Sequence, residues 1–195
     1  MNNQMNKEDF LKDVANHQLT ILKDDGIYRH IHLGSPNTNN QSFEIVTWPG
    51  YLSYSGDMGC FVFSRLEDMF RFFRDSSGDL KINTGYWSEK LHAVDSCDGY
   101  KKFSWDSFVE SLMEFCETEE QKKWMNDELE YIENDEFGAV EFYRNFDNDN
   151  DLSIDLSDFF ECTHSVPTQR YLWCCYALVW AIKQYDLVKQ EKVAA

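Results

Sequence analysis

The residues of this chain most able to do chemistry are its carboxylates. Asp147, Asp149, Asp151 and Asp155 fall at positions 1, 3, 5 and 9 of a calcium-loop spacing, with Ile154 at the apolar eighth position and Phe146 just before it. Such a loop chelates a hard cation through converging oxygens. Two positions depart from the pattern. Position 6 calls for glycine to make a sharp turn and is Leu152, and position 12 calls for a bidentate glutamate and is the shorter Asp158. An acidic loop that opens a helix near Asp155 is the better account, so no metal and no cofactor are expected.

Other candidates are thinner. His30 and His32 stand two apart on a predicted strand and share a face, but a zinc site needs three or four protein ligands. No CxxC or HExxH spacing supplies the rest, so the pair is read as the exposed face of a strand. Cys97 with His92 could form a nucleophile and its base, yet their spacing carries no signature. Asp57, between Gly56 and Gly59, reads as a turn aspartate bonded to its own backbone. The aromatic run from Trp48 to Tyr54 lacks the basic neighbours of a base-stacking platform and is assigned to packing. Phosphate loops, dinucleotide fingerprints and nucleophile elbows are missing. The expectation is a protein that is not an enzyme.

What remains is charge. Between Asp106 and Glu161 the chain has 19 acidic residues and three basic ones, close to the whole net charge of −17. At 100° per residue, Asp106, Glu110, Glu114 and Glu117 lie opposite Trp105, Phe108, Val109, Leu112, Phe115 and Cys116. Glu119, Glu120, Asp127, Glu130 and Glu133 lie opposite Trp124, Met125, Leu129 and Ile132. Stripes with so few lysines cost a few tenths of a kcal/mol per like-charged pair. A solvated face that keeps the protein dissolved explains them, and so does a carboxylate array imitating DNA phosphates. The candidate partner-binding residues are Asp106, Glu110, Glu114, Glu117, Glu120, Asp127, Glu130 and Glu133. Such a surface repels nucleic acid and anionic membranes and attracts basic proteins.

The elements that would carry these residues follow from periodicity. Asn6 and Asp9 open a helix to about Gln18. Strands are predicted over 19–23, 27–33, 43–48, 51–54 and 60–63, separated by Gly and Pro turns. Short links favour an antiparallel meander. Ser64 and Glu67 form a capping box for a helix through Arg74, and Tyr86–Ala93 reads as a short helix. Further helices are predicted over about 104–116, 118–134, 138–145, 155–161 and 168–187, with Thr118 and Gln121 as a second capping box. The last is apolar nearly all round, which marks a buried helix. The fold class is α+β: an N-terminal helix, an antiparallel sheet of about five strands, then a helical half. The expected organisation is one domain over 1–195, mostly β in 1–103 and acidic and helical in 104–195. The polar N-terminus and the lack of long apolar runs predict an intracellular protein with reduced cysteines.

Two stretches carry a resemblance. Thr47-Trp48-Pro49-Gly50-Tyr51-Leu52-Ser53-Tyr54-Ser55-Gly56-Asp57-Met58-Gly59, with Phe61 to Leu66 after it, and Trp173-Cys174-Cys175-Tyr176-Ala177 with Trp180 resemble a family of small phage- and prophage-encoded proteins. The similarity runs from about Ile27 to Asp186, and its motifs define fold: a tight hairpin, a capped helix and a buried helix. The resemblance implies an accessory phage gene acting in the cytoplasm of a bacterial host, and small acidic proteins of that kind are often anti-CRISPR or anti-restriction inhibitors. It brings no catalytic residues. The expected function is therefore a DNA-mimicking inhibitor of a nucleic-acid-binding defence system, with a basic protein channel or nuclease complex as partner. An immunity protein against a basic toxin nuclease is the nearest alternative, and a calcium-binding or enzymatic protein using 147–158 is another.

Overall fold

The computed structural model describes residues 4–147, 152–159 and 164–194, and its contacts divide the chain into two compact units. One unit runs to Tyr100 and resumes at Pro167; the other is Lys101–Val166. The first begins with α1 (Lys7–Asp13) and β1 (Gln18–Asp25), β2 (Tyr28–Gly34), β3 (Phe43–Trp48), β4 (Tyr51–Gly56) and β5 (Gly59–Ser64). Then come α2 (Met69–Phe73), α3 (Thr84–Ser88) and β6 (Leu91–Ala93). The second unit holds β7 (Lys101–Phe103), α4 (Trp105–Glu114), α5 (Glu119–Leu129), α6 (Glu136–Asn145) and the start of β8 (Ser165–Pro167). The chain ends in α7 (Gln169–Ala194).

The sheet is a meander in sequence order, β1 to β6, with every neighbour antiparallel. Alternation decides which face is dry. Ile31, Leu33, Phe43, Ile45, Leu52, Tyr54, Phe61 and Phe63 point to one side and are buried. α7 covers that side: Trp173 meets Phe43 edge-on at 5.6 Å, and Tyr171 meets Phe61 at 5.4 Å. Trp173 also donates its indole N–H to Asp13 at 2.9 Å, so its polar atom is satisfied inside the core. Thr168 caps α7 by accepting the Tyr171 N–H. The expected buried last helix is thus formed, and it belongs to the sheet unit.

The turns follow their residues. Pro49 and Gly50 connect β3 to β4, where Trp48 pairs Tyr51, and Gly50 takes φ +81°, a region open to glycine at little cost. At Gly56 a side chain is excluded by close approach instead, since a Cβ would stand 2.3 Å from the Ser42 carbonyl oxygen.

Four local expectations are corrected. The first helix, expected to reach about Gln18, ends at Asp13, where Val14 caps it, and Gln18 already opens β1. Ser64 does not cap α2. It is held in the sheet opposite Tyr51, its N–H bonds to the Lys90 carbonyl, and Asp68 caps the helix through the Phe70 N–H. The stretch 86–93 is not one helix but the end of α3 followed by β6, whose Leu91 and Ala93 pair with β5. The backbone groups along the edge of β5 find partners that way. The sheet has six strands where about five were expected. Residues 154–158 are not helical either: Ile154 and Leu156 alternate into the core of the second unit while Asp155 accepts from Ser157. The remaining residues of that predicted helix, from 160, lie outside the described residues.

The second unit has a core of its own. Phe108 and Leu112 of α4, Met125 and Leu129 of α5, and Ala139 and Phe142 of α6 close around Ile154, Leu156 and Phe159. The capping box at Thr118 and Gln121 is present, and the Gln121 amide also donates to the Leu152 carbonyl at 2.9 Å. That bond ties the chain after the aspartate-rich stretch to the start of α5.

A candidate partner-binding surface

The second unit contains 19 acidic and five basic side chains, a net charge of −14. The rest of the chain has 16 acidic and 13 basic, a net of −3. Burial of the apolar stripe determines where the carboxylates go. With Phe108 and Leu112 turned inward, Asp106, Glu110 and Glu114 at i, i+4 and i+8 are left outside on α4. With Met125 and Leu129 inward, Asp127 and Glu130 are left outside on α5 and at its C-cap. Glu117, Glu120 and Glu133 are exposed as well. All eight predicted contact residues therefore stand in solvent on one unit, whose α4 packs against both α5 and α6. Lys122 relieves Glu119 at 3.1 Å.

Two residues missed by the sequence reading stand among these carboxylates. Tyr131 is 88% exposed and Phe137 is 65% exposed, the two most exposed large apolar side chains described. Tyr131 follows α5 and Phe137 lies in the first turn of α6. The only sequence signal was their position off the apolar stripes. Trp124, Ile132, Phe142 and Phe146 line a groove of about 360 Å³ with Glu128, Glu141, Asn145 and Asp147. A second cleft of about 460 Å³ is lined by Phe103, Phe108, Tyr143, Phe159 and His164, with Lys101, Lys102 and Glu136 among its polar groups. His164 stacks on Phe159 at 4.6 Å, and burial lowers the pKa of its imidazole.

The other candidates fare as follows. Of the calcium-loop residues, Asp149 and Asp151 lie outside the described residues. Asp147 and Asp158 are exposed, and Asp155 is engaged by Ser157, whose hydroxyl and N–H hold its carboxyl below the usual range. His30 and His32 share the carboxylate of Glu44, at 2.9 and 3.7 Å. Among the described residues no three His, Cys, Asp or Glu side chains are placed to hold a metal ion. His92 rests edge-on against Tyr51, while Cys97 sits in a turn and donates its N–H to Asp95. Burial raises the thiol pKa of both Cys174 and Cys175, the opposite of what a nucleophile needs.

Two structural details differ from expectation. The Asp57 carboxylate accepts the N–H of Gln41, in another loop, and not its own turn backbone. Of the aromatic run, Leu52 and Tyr54 are core, whereas Trp48 and Tyr51 stack on each other at 5.4 Å and remain partly open. No helix among the described residues is long and apolar enough to cross a membrane. The chain matches no known protein family, and neither curated proteins nor solved structures show a relative. The phage resemblance accordingly rests on the quoted motifs.

Proposed function

We propose that this protein is a non-enzymatic, phage-encoded inhibitor that acts in the bacterial cytoplasm on a nucleic-acid-binding defence complex of the anti-CRISPR or anti-restriction type. Its carboxylate faces on α4 and α5 occupy a basic channel of that partner in place of DNA or RNA. The observation that carries this reading is the exposure of all eight predicted contact carboxylates on a folded unit of net charge −14. Along α4 the stripe presents one carboxylate about every 6 Å. That spacing is close to two steps of about 3.4 Å along one strand of a duplex. Such a surface associates quickly with a basic partner and loses affinity as salt rises.

The test uses the full chain immobilised in a host lysate. Proteins retained on it should elute with duplex DNA and with high salt. They should be lost when Asp106, Glu110, Glu114, Asp127 and Glu130 are all changed to Lys. An unchanged set of retained proteins on the charge-reversed chain would reject the mimicry.

A further inference from the structure

Charge alone explains attraction but not choice, because every basic channel satisfies it. The groove between α5 and α6 supplies what charge lacks. Its apolar lining is Trp124, Ile132, Phe142 and Phe146, and its charged lining residues among those described are Glu128, Glu141 and Asp147. At about 360 Å³ it falls within the range of formed ligand pockets, about 300–1,000 Å³. Tyr131, 88% exposed, follows α5, and Phe137, 65% exposed, lies in the first turn of α6. An apolar lining bordered by three carboxylates and Asn145 is complementary to one kind of macromolecular segment. It fits an amphipathic helix whose apolar face enters the groove and whose lysines or arginines meet the rim.

We propose that the groove between α5 and α6 receives a basic amphipathic helix of the partner protein, with the exposed Tyr131 and Phe137 of the same two segments as further aromatic contacts. This rests on the reading of the acidic unit as a surface for a basic protein, and it adds where specificity resides. Exposed aromatic side chains and pockets of this kind concentrate binding energy at interfaces, while rim charges govern mainly the association rate and its salt dependence. The groove on α5 and α6 thus supplies the selective contact, while the α4 stripe of Asp106, Glu110 and Glu114 meets the basic channel and sets mainly the association rate and its salt dependence.

The experiment titrates the full chain with two fluorescent synthetic peptides of about 18 residues, long enough to form a helix on contact. Both are made of leucine and lysine in the same proportions. One has its leucines on a single helical face, and the other has them scattered. The amphipathic peptide is expected to bind about tenfold more tightly, a difference of about 1.4 kcal/mol. Asn145→Trp, a change at an exposed groove residue, should fill the groove. It should remove most of that tenfold difference and leave the scattered peptide unaffected. Tyr131→Ser with Phe137→Ser, also at exposed positions, should weaken the amphipathic peptide without changing the thermal melt.

Equal binding of the two peptides, or an Asn145→Trp chain that still discriminates between them, overturns the groove proposal. If both peptides then bind equally but are lost on reversing Asp106, Glu110 and Glu114, the acidic-surface reading stands without the groove. If the amphipathic peptide binds with no dependence on salt or on those carboxylates, the acidic-surface reading fails.

Discussion

The sheet unit and the helical unit treat charge in opposite ways. In the sheet unit, three basic side chains are paired across elements distant in sequence, beside the local pairs Lys12–Asp9 and Lys90–Glu89. Arg29 holds Asp68 in a two-bond pair at 2.8 and 3.1 Å, Arg74 holds Asp186, and Lys189 holds Asp24. The Arg29 pair is largely buried and tightens both partners: the guanidinium keeps Asp68 below the usual carboxylate range, against the opposing effect of its own burial. In the helical unit Lys122 pairs locally with Glu119, and Asp106, Glu110, Glu114, Asp127 and Glu130 are exposed. Removing one partner of a buried pair is costly because the other charge is left uncompensated, whereas exposed pairs contribute little. The difference assigns stability to one region and a displayed field to the other. It also explains how the chain can carry −17 without unfolding its sheet.

That contrast can be broken first at its strongest point. Trp173 is fully buried between Phe10, Phe43 and α1. Trp173→Ala should cost about 3–5 kcal/mol in urea unfolding followed at sheet amides, the usual range for losing a large core aromatic. A loss below about 1 kcal/mol would show that the α7 contact with the sheet is not where the stability lies.

A smaller effect, opposite in kind, is expected in the helical unit. The pairs Asp106–Glu110 and Glu110–Glu114 repel along α4, each by a few tenths of a kcal/mol, so together by about 0.5–1 kcal/mol. Raising salt from about 0.1 M to about 1 M shortens the Debye length from about 10 to about 3 Å. Hydrogen exchange at α4 amides should slow accordingly, while β3 and β4 amides serve as the unaffected reference. Faster exchange at α4 in high salt would contradict the self-repulsion.

The smallest effect concerns acid. The Ser77 hydroxyl and the N–H groups of Ser77 and Lys81 donate to Asp75 and hold its carboxyl down to about 2. A carboxylate depressed by folding stabilises above its unfolded value of about 4. That stabilisation is lost as pH falls from about 4 toward about 2. Ser77→Ala should raise the Asp75 titration and narrow the acid loss. A carboxyl signal that still titrates near 2 in the variant would assign the shift to the backbone amides alone.

Much of the architecture was legible because it rests on local periodicity. The five strands from β1 to β5 were read from alternation and turn residues, and the caps at Asn6 and Thr118 from short side-chain patterns. Errors came where a non-local partner decided. β6 is a strand because β5 offers an open edge, and Ser64 is a strand residue because Tyr51 and Lys90 hold it there. Ile154 and Leu156 are extended because the helical unit needed two apolar side chains at that place.

For the candidate site the division is similar. By itself the sequence determined that α4 and α5 have an apolar and an acidic side, since 3.6 residues per turn and the insolubility of Phe108, Leu112, Met125 and Leu129 leave the carboxylates nowhere else to go. It likewise determined that α7 is buried, because a helix apolar all round has no face to offer water. Only the tertiary structure decided that α7 belongs with the sheet unit, that Tyr131 and Phe137 are left uncovered, and that Trp124, Ile132, Phe142 and Phe146 meet as a groove. Those facts depend on which helix packs beside which and at what spacing. That is set by the fit of side chains brought together from distant parts of the chain, and no single segment encodes it.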